Sequence, residues 1–453
     1  MPEAGIVAAM FAASLLPAGP PWMSSLATAV YWASIVATIA GLDASILRRP
    51  WIALVAILYA ATFAWNRGAL LLPDYLFDTD TERYVREAVA HRIQVRHLGF
   101  PVHTFSYPAL GLVGLIVQSA VAGALLLATF DALLKRLGAG VAARTVTGVL
   151  FGASLSLWTL SSVVESFVPS ALLLALTLVA LVRWIEDPNR ANALAIGALL
   201  LAGAGMSLEN LYVLVPVTAG ALAARKPRDL PLMLGIPVLG LALWIPLVSR
   251  AQGPGFYATW GDAGFSRPAG NVVENLEHFS AEYVQPARIL SPRRHVETLW
   301  RVFVMSVRGE PGAEPSRYPA RMTRWSFLDP GQLACAGLTL LLLVLAVPTI
   351  VRRGREGSPA ERGLLVACLA VLLVRAVFLV VYAPTQSLLF ALPSLLALDL
   401  LLGAGLRGRA RWAAGALAVL VLVTNAWVLW DAQRGASNQE STSKAYEICS
   451  ATA

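Results

Sequence analysis

Apolar runs close to membrane-spanning length recur along almost the whole of this 453-residue chain, and no other feature restricts its folding so tightly. A bilayer core about 30 Å thick needs about 20 apolar residues in helical form. It offers no water to backbone N–H and C=O groups, so the chain must satisfy them within each helix. Twelve such runs stand out: Ser24–Leu42, Trp51–Trp65, Ala109–Phe130, Val146–Leu160, Val168–Val182, Ala193–Met206, Leu211–Ala223, Leu230–Val248, Leu333–Ile350, Leu364–Val381, Ser387–Leu402 and Trp412–Trp430. Those shorter than about 17 residues are read as extending into their flanks or tilting beside longer neighbours. Ile6–Leu16 is too short to span alone and reads as an interfacial helix or part of an extra span. Charged residues make up 14% of the chain and hydrophobic ones 57%, against about 25% charged in soluble domains. The expected fold is therefore an all-α polytopic membrane protein with about 12 transmembrane helices. Residues 1–430 form a single transmembrane domain, and 431–453 a polar, disordered tail.

Basic residues set the expected orientation. Arg48 and Arg49, Lys135, Arg136 and Arg144, Arg183 and Arg190, Arg225, Lys226 and Arg228, Arg352, Arg353, Arg355 and Arg362, and Arg407, Arg409 and Arg411 fall in alternate short connections. The intervening turns Ser161–Phe167, Ser207–Asn210 and Ala383–Gln386 contain no Lys or Arg. The positive-inside rule makes the basic side cytoplasmic. Two long loops, 66–108 and 249–332, then face outward from the inner (plasma) membrane. The same distribution accounts for the net charge of +8 without a nucleic-acid partner. Cys335, Cys368 and Cys449 have no disulfide-framework or zinc spacing. The first residues lack a basic segment and are not read as a cleaved signal peptide. A phosphate-binding loop, a Gly-x-Ser-x-Gly elbow and a His-Glu-x-x-His motif are all absent from the sequence.

The first outer loop is the most informative stretch. Asp78 and Thr79 supply a helix cap that Glu82 can complete, and Thr81 to about Ile93 has the pattern of an amphipathic surface helix with Tyr84, Val85, Ala88 and Val89 on its apolar side. Acids in a first turn stabilise the helix dipole, a structural role that weighs equally with a chemical one here. The helix is followed by Arg96-His-Leu-Gly-Phe-Pro-Val-His103, with Pro101 and Pro108 stiffening the approach to the next span.

These residues resemble the GT-C superfamily of membrane glycosyltransferases, in particular the protein O-mannosyltransferase-like members. Asp80-Thr-Glu-Arg-Tyr84 resembles the family's acidic element and His97-Leu-Gly-Phe-Pro101 its turn, with a departure at Leu98 where proline is usual. Trp158 to Phe167, including Glu165, resembles the Trp…Glu element, and Ala383-Pro-Thr-Gln386 a late Pro-rich element. The resemblance implies transfer of a sugar from a polyprenyl-phosphate-linked donor to a glycan, lipid or protein acceptor. Asp80 or Asp78 would be the general base, and Glu165, Glu82 and His103 would face the acceptor. No cofactor is singled out, no metal ligands are assigned, and a divalent ion stays open.

Other polar residues complete the reading. Arg375 lies inside an apolar run, where a guanidinium is costly and is functional by default. With Arg293 and Arg294 of the second loop it suits a phosphate clamp, because Arg binds phosphate through paired donors, and His97 is placed beside it. The structural alternative for Arg375 is an ion pair or snorkelling to the interface. Glu209 reads as a solvated turn acid, and Asp399 as paired with a nearby Arg. Arginines interleaved with Trp260, Tyr283, Trp300 and Trp325 suit a loop resting on membrane lipids, and His295–Met305 a further surface helix. The competing reading is a transporter or flippase for lipid-linked sugar or a small solute, or a non-catalytic envelope-assembly protein.

Overall fold

The computed structural model describes residues 1–16, 21–64, 84, 87, 90–253, 256–257, 259–260, 266–267, 269–284, 286–308, 330–382 and 387–435. Its helices in chain order are α1 Pro2–Ser14, α2 Pro21–Asp43, α3 Trp51–Ala64, α4 Pro101–Thr104, α5 Tyr107–Arg136, α6 Val141–Gly152, α7 Leu155–Ser161, α8 Phe167–Glu186, α9 Arg190–Met206 and α10 Leu214–Ala223. They continue with α11 Leu230–Gln252, α12 Val272–Tyr283, α13 Pro286–Ile289, α14 Pro292–Trp300, α15 Pro330–Glu356, α16 Pro359–Tyr382, α17 Ser387–Gly405 and α18 Ala410–Gly435. Short 3-10 turns at Val95–His97 and Leu208–Val213 and a π turn at Arg301–Met305 join some of them, and the two-residue strands Thr259–Trp260 and Ser266–Arg267 pair antiparallel.

Among the described residues seven helices are long and apolar enough to cross a membrane, and the bent pair α6–α7 makes an eighth. The chain is therefore a helical membrane protein, but within those residues the twelve expected spans are not all reached. The difference has two physical sources. Several apolar runs form helices of only 10–17 residues, including Arg190–Met206 and Trp51–Ala64. The run expected as one span at Val146–Leu160 breaks between α6 and α7 with a bend of 63°. The expected surface helix of the first loop lies largely outside the described residues. Tyr84 and Glu87 are helical, and the chain then turns at His91, with φ 48, short of the expected end at Ile93.

The bundle is organised around α8, whose apolar stretch is 94% buried, whereas that of α15 is only 17% buried. Helix α8 packs against α5, α9, α16 and α17. Leu340, Leu341, Val344, Leu345 and Val347 of α15 are exposed apolar residues, as expected of a helix whose neighbour is lipid.

The α6–α7 break shows how the fold deals with freed backbone groups at depth. Ser154 caps α7 by accepting from Leu157 N at 3.3 Å. Residues 306–307 of the second long loop insert beside the break, where Leu155 N donates to Val307 O at 3.2 Å and Ser156 N to Ser306 O at 2.9 Å. Buried Asn425 of α18 donates from Nδ2 to both Ala153 O and Val307 O at 2.7 Å. Irregular backbone inside a membrane bundle is tolerated only where such partners exist.

Helices α10 and α16 approach closely at glycines. A Cβ on Gly220 would stand 2.8 Å from Gly363 O. Small residues allow this approach in membranes, where packing rather than water drives association.

The two ends of the bundle differ. One carries the short connections near residues 137–140, 187–189, 224–229, 357–358 and 406–409. The other carries the 95–107 segment, the turns at 162–166 and 207–213, and both long loops.

Candidate functional site

At the long-loop end, four stretches far apart in sequence meet around one buried cation. Arg375 lies seven residues before the end of α16 and is 2% exposed. Its Nη2 donates to Phe390 O at 2.7 Å. Its guanidinium lies 4.6 Å from the Phe378 ring, 5.3 Å from Tyr212 and 6.0 Å from Phe390. Its Nη1 stands 4.0 Å from Glu209 Oε2, the outer limit of an ion pair. Its Nε is buried and has no hydrogen-bond partner among the described residues. The same holds for the buried hydroxyl of Tyr212. A buried guanidinium normally fills its five donors, and among the described residues this one leaves Nε unfilled.

Glu209 and Tyr212 share the 208–213 turn between α9 and α10. Asn210 Nδ2 fixes that turn by donating to Gly203 O at 2.9 Å. The 95–97 turn locks onto the same place. Gly99 N donates to Gly205 O at 2.7 Å, and His97 Nδ1 lies 3.2 Å from Met206 O. This position brings the Arg96 charge to bear on Glu209. Burial raises the Glu209 carboxyl above its ordinary range, while the charges of Arg375 and Arg96 and a hydrogen bond from Ser207 pull it down without cancelling the effect.

A third stretch closes the ring. The Tyr84 hydroxyl is 3.1 Å from Ser166 Oγ, and its ring is 5.6 Å from that of His97. Phe167, next to Ser166, packs edge-on against Phe390 at 5.4 Å. Glu165, fully buried, sits one residue before Ser166. From Tyr84 through Ser166–Phe167, Phe390, Arg375 and Glu209, and by way of the Arg96 charge to the adjoining His97, each link interacts with or adjoins the next.

Of the residues singled out in the sequence, Arg375, His97 and Glu165 fall in this ring. Asp78, Asp80 and Glu82 lie outside the described residues. His103 is held elsewhere, in a buried box of Tyr31 at 5.0 Å, Phe100 at 5.6 Å and Trp32 at 5.8 Å. Burial lowers its imidazole to about 3 despite a hydrogen bond with Gln118, so it is a neutral packing residue rather than one facing an acceptor. Arg293 is 69% exposed on α14 and pairs with Glu297 at 2.9 Å. No described contact joins Arg293 or Arg294 to Arg375. Glu209 is only part-solvated, because the turn leaves its side chain 23% exposed and its carboxylate 4.0 Å from Arg375. Asp399 is buried on α17 with no ion-pair partner among the described residues, contrary to the expected pairing with a nearby Arg.

Sequence reasoning missed Tyr212, Phe378 and Phe390. All three sit in or beside apolar runs and carry no local signal. The spacing of Glu209 and Tyr212 within one turn was the sole hint. Among the described residues no three His, Cys, Asp or Glu side chains are grouped to hold a metal. No protein family, curated protein or solved structure matches the chain.

Proposed function

We propose that this protein is a membrane glycosyltransferase that moves a sugar from a polyprenyl-phosphate donor to an acceptor, with its site at the long-loop end on the non-cytoplasmic face. The observation that carries the reading is the under-satisfied Arg375. A cation with an unpartnered Nε, walled by aromatic rings and with a second guanidinium, Arg96, acting on the neighbouring Glu209, is suited to an anion such as a phosphate headgroup. The sequence resemblance of the 80–101 segment to GT-C enzymes supports the same class, and His97 from that segment lies beside the cluster.

In the proposed reaction an acceptor hydroxyl oxygen attacks the anomeric carbon as the bond from that carbon to the phosphate oxygen breaks. Asp80 or Asp78 takes the hydroxyl proton, and polyprenyl phosphate leaves with the bonding electrons. Arg375, aided by Arg96 and the Tyr212 hydroxyl, stabilises the charge that builds on the departing phosphate. A single displacement of this kind inverts the anomeric centre. Aromatic walls keep water from the cation, which strengthens its hold on the leaving group.

The deciding experiment gives purified protein a radiolabelled polyprenyl-phosphate sugar and a panel of acceptors, beside Asp80→Asn, Asp78→Asn and Arg375→Gln. Label transfer by the wild type, lost in Arg375→Gln and in one of the Asp variants, supports the assignment. Transfer that survives both Asp substitutions removes the proposed base. Failure to consume donor under any condition points instead to a transporter or an assembly protein.

A further inference from the structure

We infer, resting on the proposed role of Arg375 as the seat of an anionic group, that the anion enters this seat together with a proton. Glu209 accepts that proton as Arg375 turns its charge to the incoming ligand.

Glu209 is the counter-charge of the seat. It stands 4.0 Å from Arg375, too far for a close paired hydrogen bond, while the guanidinium anchors instead on Phe390 O at 2.7 Å. The arginine is thus held by backbone and aromatic faces, and the carboxylate merely balances it. The turn that bears Glu209 is pinned through Asn210 to Gly203 O. Beside it, the 95–97 turn is pinned through Gly99 to Gly205 O. The carboxylate therefore stays close to any anion that takes the unpartnered donors of Arg375 and Tyr212, and like charges so placed disfavour ionisation of the weaker acid.

The elements packed on the 208–213 turn are α9, α10, α16 and the 95–97 turn. Arg96 and His97 come from the 95–97 turn, Arg375 from α16 and Tyr212 from the turn itself. Helix α10 has no charged residue, and the charged residue of α9, Arg190, is at its far end. Burial already favours the neutral form of Glu209 against the pull of two guanidinium groups. An anion that neutralises those groups leaves only the Ser207 hydrogen bond against burial, so the carboxyl protonates. Arg96 and Arg375 then both face the ligand.

A phosphodiester probe tests this, because it keeps one charge across the neutral range and contributes no titration of its own. Full-length protein in lipid nanodiscs is titrated calorimetrically with a short-chain polyprenyl phosphodiester, in buffers of different ionisation enthalpy and over a series of pH values. The expected result is uptake of close to one proton per ligand, with affinity falling by up to about tenfold per pH unit on the alkaline side. Glu209→Gln, a neutral isostere, then binds without proton uptake and with affinity insensitive to pH, while Arg136→Gln, at the opposite end of the bundle, keeps both. Binding by the wild type without proton uptake overturns the inference and leaves the anion seat standing. Uptake that persists in Glu209→Gln overturns it too, by assigning the proton to another group. Wild-type binding no stronger than that of Arg375→Gln removes the seat itself, and the coupled proton with it.

Discussion

Cations at the two ends of the bundle differ in how deeply they are buried and in what surrounds them. At the short-loop end each prominent one has an obvious partner. Asp131 accepts from Arg144 at 2.7 and 2.8 Å and also pairs with Arg49. Arg136 meets Glu186 at 2.5 Å, Lys226 bonds Ile185 O, and Arg353 bonds Gly138 O at 2.9 Å. At the long-loop end Arg375 is deeper than any of these, is walled by rings and keeps an Nε with no partner among the described residues. Charges that fasten helix ends have carboxylate or carbonyl partners and are partly wet; Arg49 Nε and Arg353 Nε also lack a hydrogen bond among the described residues, so it is dryness and aromatic walls that set Arg375 apart. The charge that is dry and incompletely satisfied costs stability, and such a cost is retained where a ligand recovers it.

Substitutions at matched cations would sharpen or break this contrast. The largest effect is expected at Arg375→Gln, which should reduce sugar transfer by about 10²- to 10³-fold, the usual loss for a group that stabilises developing charge. Arg375→Lys should recover little, because a point charge cannot replace the planar fork. Arg136→Gln at the opposite end should leave transfer within about twofold in the same label assay. Equal losses at both positions would erase the distinction between the ends.

A second effect lies in stability rather than activity. Asn425→Leu removes the Nδ2 donor from the buried Ala153 carbonyl at the α6–α7 break and leaves Val307 O with Leu155 N alone, and should cost about 1–3 kcal/mol in detergent unfolding, the usual cost of one unsatisfied group. The third concerns pH. The His103 imidazole is held neutral to about 3 when folded and titrates near about 6.5 when unfolded. The unfolded state therefore binds the proton first. Stability from this residue is complete above about pH 7 and is lost as pH falls from about 6.5 towards 3, with a slope of at most about 1.4 kcal/mol per pH unit. His103→Gln should flatten that slope in thermal unfolding measured across the range. The smallest effect belongs to the exposed Arg136–Glu186 pair, whose side chains are 34% and 46% exposed. Its removal should change stability by less than about 1 kcal/mol, within the error of most melting curves.

Part of the site is legible in the sequence. Arg375 announces itself because a guanidinium in an apolar run has no inexpensive place to go. His97 and Glu165 are found through motif resemblance. Glu209 is misjudged because a turn acid reads as solvated until the turn is seen folded under a neighbour. Tyr212, Phe378 and Phe390 are silent, since aromatic residues in apolar runs face lipid as readily as a site. Asp399 is expected to find an arginine from its nearness in sequence to the basic end, but its helix carries it to a buried face without one among the described residues.

Hydropathy and the placement of Arg and Lys, read along the chain, determined that this is a helical membrane protein and which connections are alike, because the bilayer penalises unpaired backbone and misplaced charge one segment at a time. Only the tertiary structure decided where α6–α7 breaks, how many helices reach full spanning length and which residues surround Arg375. Those outcomes depend on which helix lies beside which, through close approaches such as Gly220 to Gly363 and cross-chain bonds such as those of Asn425, and no single segment encodes its neighbours.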